Sequence, residues 1–250
     1  MKPSLALVAL TALALGACSK KPADTNGGVT APSAPVAAVP PPAGKQWTDV
    51  VAMTPDGGFR MGNPNAAVKL VEYASFTCPH CKHFAETGAP QLKSKYVSTG
   101  RVSWEFRSVM IHPMDAPITM VMVCRGPEPF FALTDQLYAA QDTILNRFIA
   151  LPAAEQQRIA GLPIVDNYKA QMQAGDLYGF FGARGMPRAQ ADACLSNQKG
   201  IDQLTAWQSK IQEAGVNSTP TFAINGSLWE PSGTGELWPQ LDAALAQAVG

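Results

Sequence analysis

An excess of charge of either sign is absent from this sequence. Its 250 residues carry 19 Lys and Arg side chains against 19 Asp and Glu side chains, which gives a formal net charge of zero. Proteins that bind nucleic acid usually carry a basic patch or stripe, so we expect no nucleic-acid partner. No internal repeat is visible either. With 46% hydrophobic residues, the chain can bury a sizeable core in one domain, or in a domain with an insertion.

A second pair of metal ligands is also lacking near the most distinctive motif, Cys78-Pro-His-Cys81. A zinc site could combine the two cysteines with either His80 or His83. No second Cys or His pair follows at zinc-ligand spacing, which disfavours that site. Covalent haem attachment requires a histidine directly after the second cysteine, where this chain has Lys82. We therefore expect no metal and no cofactor other than the dithiol itself.

The motif lies between a predicted strand and a predicted helix. Strand-forming residues fill 67–74, and 82–96 is a polar run with apolar residues at helical spacing. Pro79 suits the first turn of that helix, because its φ is already helical and the N–H that it lacks would be unpaired there. Cys78 then lies at the positive end of the helix dipole, where a thiolate is favoured over a thiol.

Cys78 is therefore expected to be the reactive thiol of the pair. His80 adds a hydrogen-bond donor and, when protonated, a positive charge, and both stabilise the ionised, reduced form. Cys81, one turn further into the helix, should be the more buried, resolving thiol. A purely structural disulfide is the alternative. We disfavour it because two intervening residues close a small, strained ring.

The N-terminus has the features of a secretory signal. Lys2 precedes an apolar segment at 5–15, which is too short for a membrane-spanning helix. Small residues lead to Cys18, as in a bacterial lipoprotein signal, so we expect residues 1–17 to be removed and Cys18 to be lipidated. An ordinary signal peptide with a chance cysteine is the alternative. In some bacteria, Asp directly after the lipidated cysteine retains a lipoprotein in the inner membrane. This chain has Ser19 at that position, which favours the outer membrane.

Residues 18–45 are predicted to be a tether between that lipid and the folded domain. Pro, Ala, Gly, Ser and Thr dominate the segment, and its bulky apolar residues are Val29, Val36 and Val39. Such a composition predicts a disordered or polyproline-II-like chain. The folded domain is expected to begin near Trp47.

The rest of the chain predicts an α/β sheet that is interrupted by helices. Residues 102–107 alternate between apolar and polar, which predicts a strand, and 216–230 predict a hairpin around an Asn225-Gly226 turn. Between them, 115–197 is largely helical. The predicted helices are 118–124, 130–141, 164–175, 189–197, 201–214 and, close to the C-terminus, 237–248.

These features together resemble the DsbA-like thiol:disulfide interchange proteins of the thioredoxin superfamily. The resemblance rests on Glu72, the Cys78-Pro-His-Cys81 motif, the segment Ser218-Thr-Pro-Thr-Phe222 and the helical block. It covers about residues 57–248. It implies a thioredoxin fold with an inserted helical domain, here in a lipoprotein form. The chain would divide into 46–112 as the first part of that fold, 113–200 as the insertion and 201–250 as the second part.

The resemblance also implies roles for individual residues. Cys78 would be the nucleophile and Cys81 the resolving thiol. Pro220 would be a cis-proline opposite the two sulfurs, with Thr219 contacting the backbone of the substrate. An ordinary trans proline in a turn is the alternative. Glu72 would relay the proton of the resolving thiol, unless it is an exposed strand carboxylate.

Cys124 and Cys194 are separate from this chemistry. Lipidation of Cys18 would leave four of the five cysteines, an even number, and an oxidising compartment favours their pairing. Cys124 and Cys194 lie in different predicted helices of the insertion, and some DsbA-like proteins carry a second bridge. We expect a structural disulfide between them. Two buried free thiols are the alternative.

The resemblance implies a periplasmic dithiol oxidase that introduces disulfides into unfolded or reduced secreted polypeptides. A membrane protein would reoxidise it, the lipid on Cys18 would hold it at a membrane, and it would act as a monomer. Thr219 before the proline is more typical of isomerase-like relatives, so a disulfide reductase or isomerase, with a membrane partner that supplies electrons, is an alternative. A non-enzymatic protein that uses the dithiol to bind peptides or copper is another.

Overall fold

The computed structural model describes residues 29–250. The predicted signal peptide at 1–17, the predicted lipidation site Cys18 and residues 19–28 of the predicted tether lie outside this range. Within it, no helix is both long enough and apolar enough to cross a membrane.

A mixed sheet of six strands forms the centre of the described part of the chain. The strands are β1 (Val51–Met53), β2 (Phe59–Met61), β3 (Val68–Ala74), β4 (Val102–Ser108), β5 (Thr221–Ile224) and β6 (Ser227–Trp229). Their order across the sheet is β1-β2-β4-β3-β5-β6. β3 and β4 run parallel, whereas the other neighbouring strands are antiparallel. The strand that leads into the cysteine motif, β3, is therefore central and paired on both edges.

A buried apolar face accounts for strand β4. Val102, Trp104 and Phe106 on β4 are 0%, 3% and 2% exposed, so the apolar face inferred from the sequence pattern is the buried one. The predicted strand at 102–107 is confirmed. The same reasoning does not predict β1 or β2, because strands of three residues are too short to show a period.

The predicted helix after the motif is two helices, α1 (Pro79–Thr87) and α2 (Ala89–Lys95). The chain bends at Gly88, since Pro90 in the first turn of α2 has no N–H to donate to the carbonyl of the preceding turn. Gly88 also lies against Phe84, and a Cβ there would be 2.5 Å from Phe84 Cε2. The prediction of one continuous helix is wrong because it ignores Pro90.

A block of helices follows β4 and shares the core of the sheet. Phe130, at the start of its longest helix, stacks on Phe59 of β2 with ring centroids 3.8 Å apart. The Phe130 ring also packs edge-on against Phe76 and Phe106. The helices are α3 (Asp115–Arg125), α4 (Phe130–Ile149), α5 (Ala153–Ala160), α6 (Ile164–Ala174), α7 (Leu177–Gly182) and α8 (Arg188–Leu195).

Helix α9 (Gln198–Glu213) leads from this block back to the sheet, and α10 (Leu237–Val249) follows β6. Between β5 and β6, Asn225 and Gly226 have positive φ values of 52° and 85°, as the predicted tight turn requires. The chain is thus an α/β sheet with inserted helices between β4 and β5. This confirms the predicted fold class.

The predicted tether contacts the domain over part of its length. The Val36 N–H donates to Val249 O at 2.7 Å, and the Val39 N–H donates to Thr99 O at 2.9 Å. Trp47 Nε1 in turn donates to Val39 O at 2.7 Å. These contacts differ from the predicted disorder of residues 18–45. A segment with too few apolar residues for its own core can still pack against the core of the neighbouring domain.

Candidate active site

The Cys78-Pro-His-Cys81 motif lies where the chain leaves β3 and enters α1. Cys78 is the N-cap residue of α1, with an extended backbone (φ −80°, ψ 123°), and Pro79 is the first helical residue. Pro79 and His80 are exposed. Cys78 and Cys81 are 3% and 0% exposed, and both are free thiols.

Cys78 is an acidic thiol in this setting. A hydrogen bond from the side chain of Cys81 is the largest cause that lowers the pKa of Cys78 to about 5, against the opposing effect of burial. Thr219 and the backbone N–H groups of Cys81 and His80 lower the pKa of Cys78 further. These N–H groups are available because the first turn of a helix leaves its donors without intrahelical partners.

Cys81 has the opposite character. Burial is the largest cause that raises the pKa of the Cys81 thiol far above its usual range. The hydrogen bond with Cys78 and the negative charges of Glu72 and Cys78 act in the same direction. Cys81 therefore keeps its proton under conditions in which Cys78 is ionised.

Glu72 lies on β3 with its carboxyl in the core, and the residue is 2% exposed. Burial raises the pKa of Glu72 to about 8, although its hydrogen bond from Trp104 Nε1, at 2.9 Å, acts the other way. A narrow cavity beside Glu72 is also lined by Thr134, Asp135 and Tyr138. Glu72 is thus an acid that is largely protonated at neutral pH, close enough to Cys81 for their charges to interact.

The segment before β5 faces the reactive thiol. The peptide bond between Thr219 and Pro220 is cis. Cys78 Sγ donates to Thr219 O at 3.3 Å. A groove runs beside Pro220, and its wall includes Ser218, Thr221, Trp229, Glu230 and Leu237. The structure therefore brings Thr219 to the sulfur of Cys78 and places an open groove beside the neighbouring Pro220.

Cys124 and Cys194 form a disulfide that joins α3 to α8. Cys194 is buried, whereas Cys124 is exposed. Neither residue contacts the Cys78 motif in any hydrogen bond of the described chain. Within residues 29–250, no group of three or more His, Cys, Asp or Glu side chains is arranged to hold a metal ion.

Residues that hold the motif in place are not predicted by the sequence pattern. Asp115 on α3 and Gln141 on α4 both bind the loop formed by residues 75–78. Asp115 is an acidic residue at the start of a helix that is otherwise almost wholly apolar, which is the one available signal. Gln141 has no such signal, since a single Gln on a long helix usually faces solvent.

Fold and site together define a thioredoxin-fold protein with an acidic and a buried thiol in one Cys-x-x-Cys motif. A family model described as Thioredoxin matches residues 54–243. This match extends from β2, across the inserted helices, into α10. The chain therefore belongs to the thioredoxin family, and its inserted helices make it DsbA-like.

Known relatives and solved structures agree with this assignment. A protein-disulfide isomerase from Novosphingobium aromaticivorans has 34% sequence identity and a TM-score of 0.70, over 76% of this chain and 98% of its own. The α-DsbA1 protein of Wolbachia pipientis shares the fold, with 23% identity and a TM-score of 0.50 over 71% of this chain and 78% of its own. A Rickettsia prowazekii protein, named in the class of protein-disulfide oxidoreductases, is 25% identical over 199 residues, which is 79% of this chain. This chain spans 65% of the length of that relative.

Proposed function

We propose that this protein is a thiol:disulfide oxidoreductase of the DsbA type that acts as a dithiol oxidase. The observation that carries the proposal is the contrast between its thiols: the pKa of Cys78 is lowered to about 5, whereas burial raises that of Cys81. A stabilised Cys78 thiolate favours the reduced motif. The Cys78–Cys81 disulfide is then correspondingly more oxidising. The names of its relatives support the broader class of activity.

The first step is attack by a thiolate of the substrate on Sγ of Cys78 in the oxidised motif. The bond between Cys78 and Cys81 breaks, and a mixed disulfide forms between the substrate and Cys78. Cys81 leaves with the electron pair and takes up a proton, because its pKa is high. Glu72, with a pKa of about 8, is the buried acid that supplies this proton.

The second step releases the oxidised substrate. Another thiolate of the substrate attacks the substrate sulfur of the mixed disulfide and expels Cys78, whose low pKa makes it a good leaving group. The substrate loses two electrons and gains a disulfide, and the motif becomes a dithiol. The electrons stay on sulfur throughout, so the reaction requires no further cofactor.

Substrates in this proposal are reduced or unfolded secreted polypeptides. Thr219 would bind the substrate backbone beside Cys78, and the groove along Pro220 would receive the extended chain. A membrane protein would restore the Cys78–Cys81 disulfide, while the oxidase itself acts as a monomer in the periplasm. A lipid on Cys18 would hold it at a membrane, with the outer membrane favoured, and mass analysis of the mature N-terminus tests this.

A disulfide isomerase or reductase is the second candidate. Thr219 before the cis-proline favours it, and the relative from Novosphingobium aromaticivorans carries the name of a protein-disulfide isomerase. Such an enzyme works from the reduced motif. Its partner would therefore supply electrons to Cys78 and Cys81 instead of removing them.

One experiment separates these two functions. The motif is equilibrated in glutathione redox buffers, and thiolate absorbance is followed against pH in the reduced protein, with Cys78→Ser as the control that removes the titrating group. For an oxidase we expect a Cys78 pKa close to 5 and a reduction potential nearer to about −120 mV than to about −270 mV. A potential near thioredoxin's, at about −270 mV, together with a near-neutral Cys78, would overturn the oxidase in favour of the second candidate.

A further inference from the structure

The inserted helices hold the loop that carries the reactive thiol, residues 75–78. Gln141 on α4 donates through Nε2 to Phe76 O at 2.9 Å and to Cys78 O at 3.0 Å. One carboxamide therefore fixes the two carbonyl groups that flank Thr77. Gln141 is 2% exposed, so solvent does not compete for these contacts.

Tyr138 adds a third contact from the same helix. Its hydroxyl donates to Ser75 O at 3.0 Å. Tyr138 and Gln141 are three residues apart on α4 and so lie on the same face of it. This face of the insertion thereby binds three carbonyl groups of the loop. Ser75 O and Cys78 O also accept from the backbone N–H groups of Cys78 and Lys82, at 3.3 and 3.1 Å.

Asp115, at the start of α3, binds the donors of the same loop and is 0% exposed. Its Oδ1 accepts from Thr77 N at 3.2 Å, and its Oδ2 accepts from Thr77 Oγ1 at 3.0 Å. Ser75 Oγ donates to Asp115 Oδ1 at 2.9 Å. The N–H groups of Ile111 and His112 also donate to Oδ2 and fix the carboxylate in turn.

We propose that Gln141, together with Asp115, is a positioning residue for thiol exchange that keeps Cys78 Sγ at the N-terminus of α1. The inference rests on the proposed function, because it takes Cys78 as the exchanging thiol. The donors on Cys81 and His80 stabilise a thiolate only within hydrogen-bond distance of its sulfur. A loop released from Gln141 can hold that sulfur elsewhere. The insertion then sets the reactivity of a thiol that belongs to the thioredoxin fold.

Gln141→Met tests the proposal, because Met keeps the length of the side chain and removes both donated hydrogen bonds. We expect the pKa of Cys78 to rise by about one unit, and the equilibrium with glutathione to move about tenfold towards the disulfide, equivalent to about 30 mV. Gln171→Met is the matched control. Gln171 lies on α6 in the same insertion, is 1% exposed, and donates to Asn167 instead of the loop.

The proposal holds if Gln141→Met shifts both quantities while Gln171→Met shifts neither, whatever each substitution costs in stability. It is overturned if Gln141→Met titrates and equilibrates as the wild type does, or if both variants shift alike. Should Gln141→Met not fold, Thr77→Val removes the hydroxyl bound to Asp115, and Thr77→Ser retains one. Here we expect the pKa of Cys78 to rise in the Val variant only, and equal values in both variants would refute the proposal. A wild-type protein that does not exchange with glutathione refutes the proposed function instead.

Discussion

Burial and hydrogen bonding act on neighbouring acids of the site in opposite directions. Burial dominates at Glu72 and raises its pKa to about 8, whereas hydrogen bonds dominate at Cys78 and lower its pKa to about 5. Each shift links the protonation of a single residue to the stability of the whole fold. The two contributions have opposite signs and oppose each other in the reduced protein, whereas in the oxidised protein Cys78 does not titrate and, of the two, only the contribution of Glu72 remains.

Glu72→Gln should remove a pH dependence of stability in the oxidised protein. The pKa of Glu72 is raised from 4.5 to about 8 in the folded state, so folding takes up a proton between these pH values. The free energy of unfolding should therefore fall as pH rises through this window, by up to about 1.4 kcal/mol per pH unit. Glutamine cannot ionise and retains an oxygen to accept from Trp104, so the variant should be the more stable protein at pH 8. Burial also raises the pKa of Asp115 from 3.8 to about 6, so the stability of the variant should become flat only above about pH 6. Urea unfolding at several pH values measures this.

The experiment requires the oxidised protein, because in the reduced protein the pH dependence of stability due to Cys78 offsets that due to Glu72. The pKa of Cys78 falls from 9.0 to about 5 on folding, so its contribution to stability is present at high pH and is lost as pH falls through 5. Glu86→Gln, at an exposed carboxyl on α1, is the control and should keep the slope of the wild type. A slope that survives in Glu72→Gln between about pH 6 and pH 8, above the range of Asp115, would show that the buried carboxyl of Glu72 is not its source.

The reactive residues of the site could be predicted from the sequence, but those that hold them could not. Cys78 and Cys81 are two residues apart beside Pro79, so a local rule about helix N-termini suffices. Gln141 and Asp115 reach the motif only through the packing of α3 and α4. No local pattern encodes a contact between residues that are 38 or 63 positions apart.

At the scale of secondary-structure elements, the bend between α1 and α2 shows why glycine is favoured at position 88. Gly88 faces the ring of Phe84, which is 1% exposed. Phe84 in turn packs against Phe222 on β5, with ring centroids 4.9 Å apart. The ring is therefore already in contact with the sheet, and a larger side chain at position 88 would crowd it.

Gly88→Ala should destabilise the protein by about 1–3 kcal/mol, because the added methyl group overpacks the contact with Phe84. Denaturant unfolding measures the loss. Gly182→Ala is the control: Gly182 ends α7, nothing lies within 4 Å of a Cβ built there, and the same change should be neutral or stabilise by up to about 1 kcal/mol. Equal stability of the Gly88→Ala variant and the wild type would mean that the bend relaxes freely.

Element length limits how well a periodic pattern predicts an element. The 7-residue strand β4 and the 16-residue helix α9 show their periods clearly. The 3-residue strand β1 and the 6-residue helix α7 are each shorter than two periods of the hydrophobic pattern of a strand or a helix. Their secondary structure depends on the elements that they contact. Tertiary contacts decide such elements.

At the scale of the whole molecule, the N-terminal segment is bound to the domain at Val36 and Val39. Should Cys18 carry a lipid as proposed, each residue of free chain adds at most about 3.5 Å of reach. Because Val36 and Val39 are bonded to the domain, any free chain would end before Val36 instead of at residue 45. The domain, and with it the Cys78 motif, would then lie closer to the bilayer than a wholly disordered tether allows.

Removing this segment should destabilise the domain without changing its active site. A chain of residues 46–250 loses the hydrogen bonds of Val36 and Val39 and leaves Trp47 Nε1 without its acceptor, whereas 29–250 keeps all three. We expect the shorter chain to lose about 1–3 kcal/mol of unfolding free energy. The pKa of Cys78 should be the same in both, because none of these contacts touches residues 75–78. If 46–250 is as stable as 29–250, the docked segment contributes nothing, and a free tether up to residue 45 describes it better.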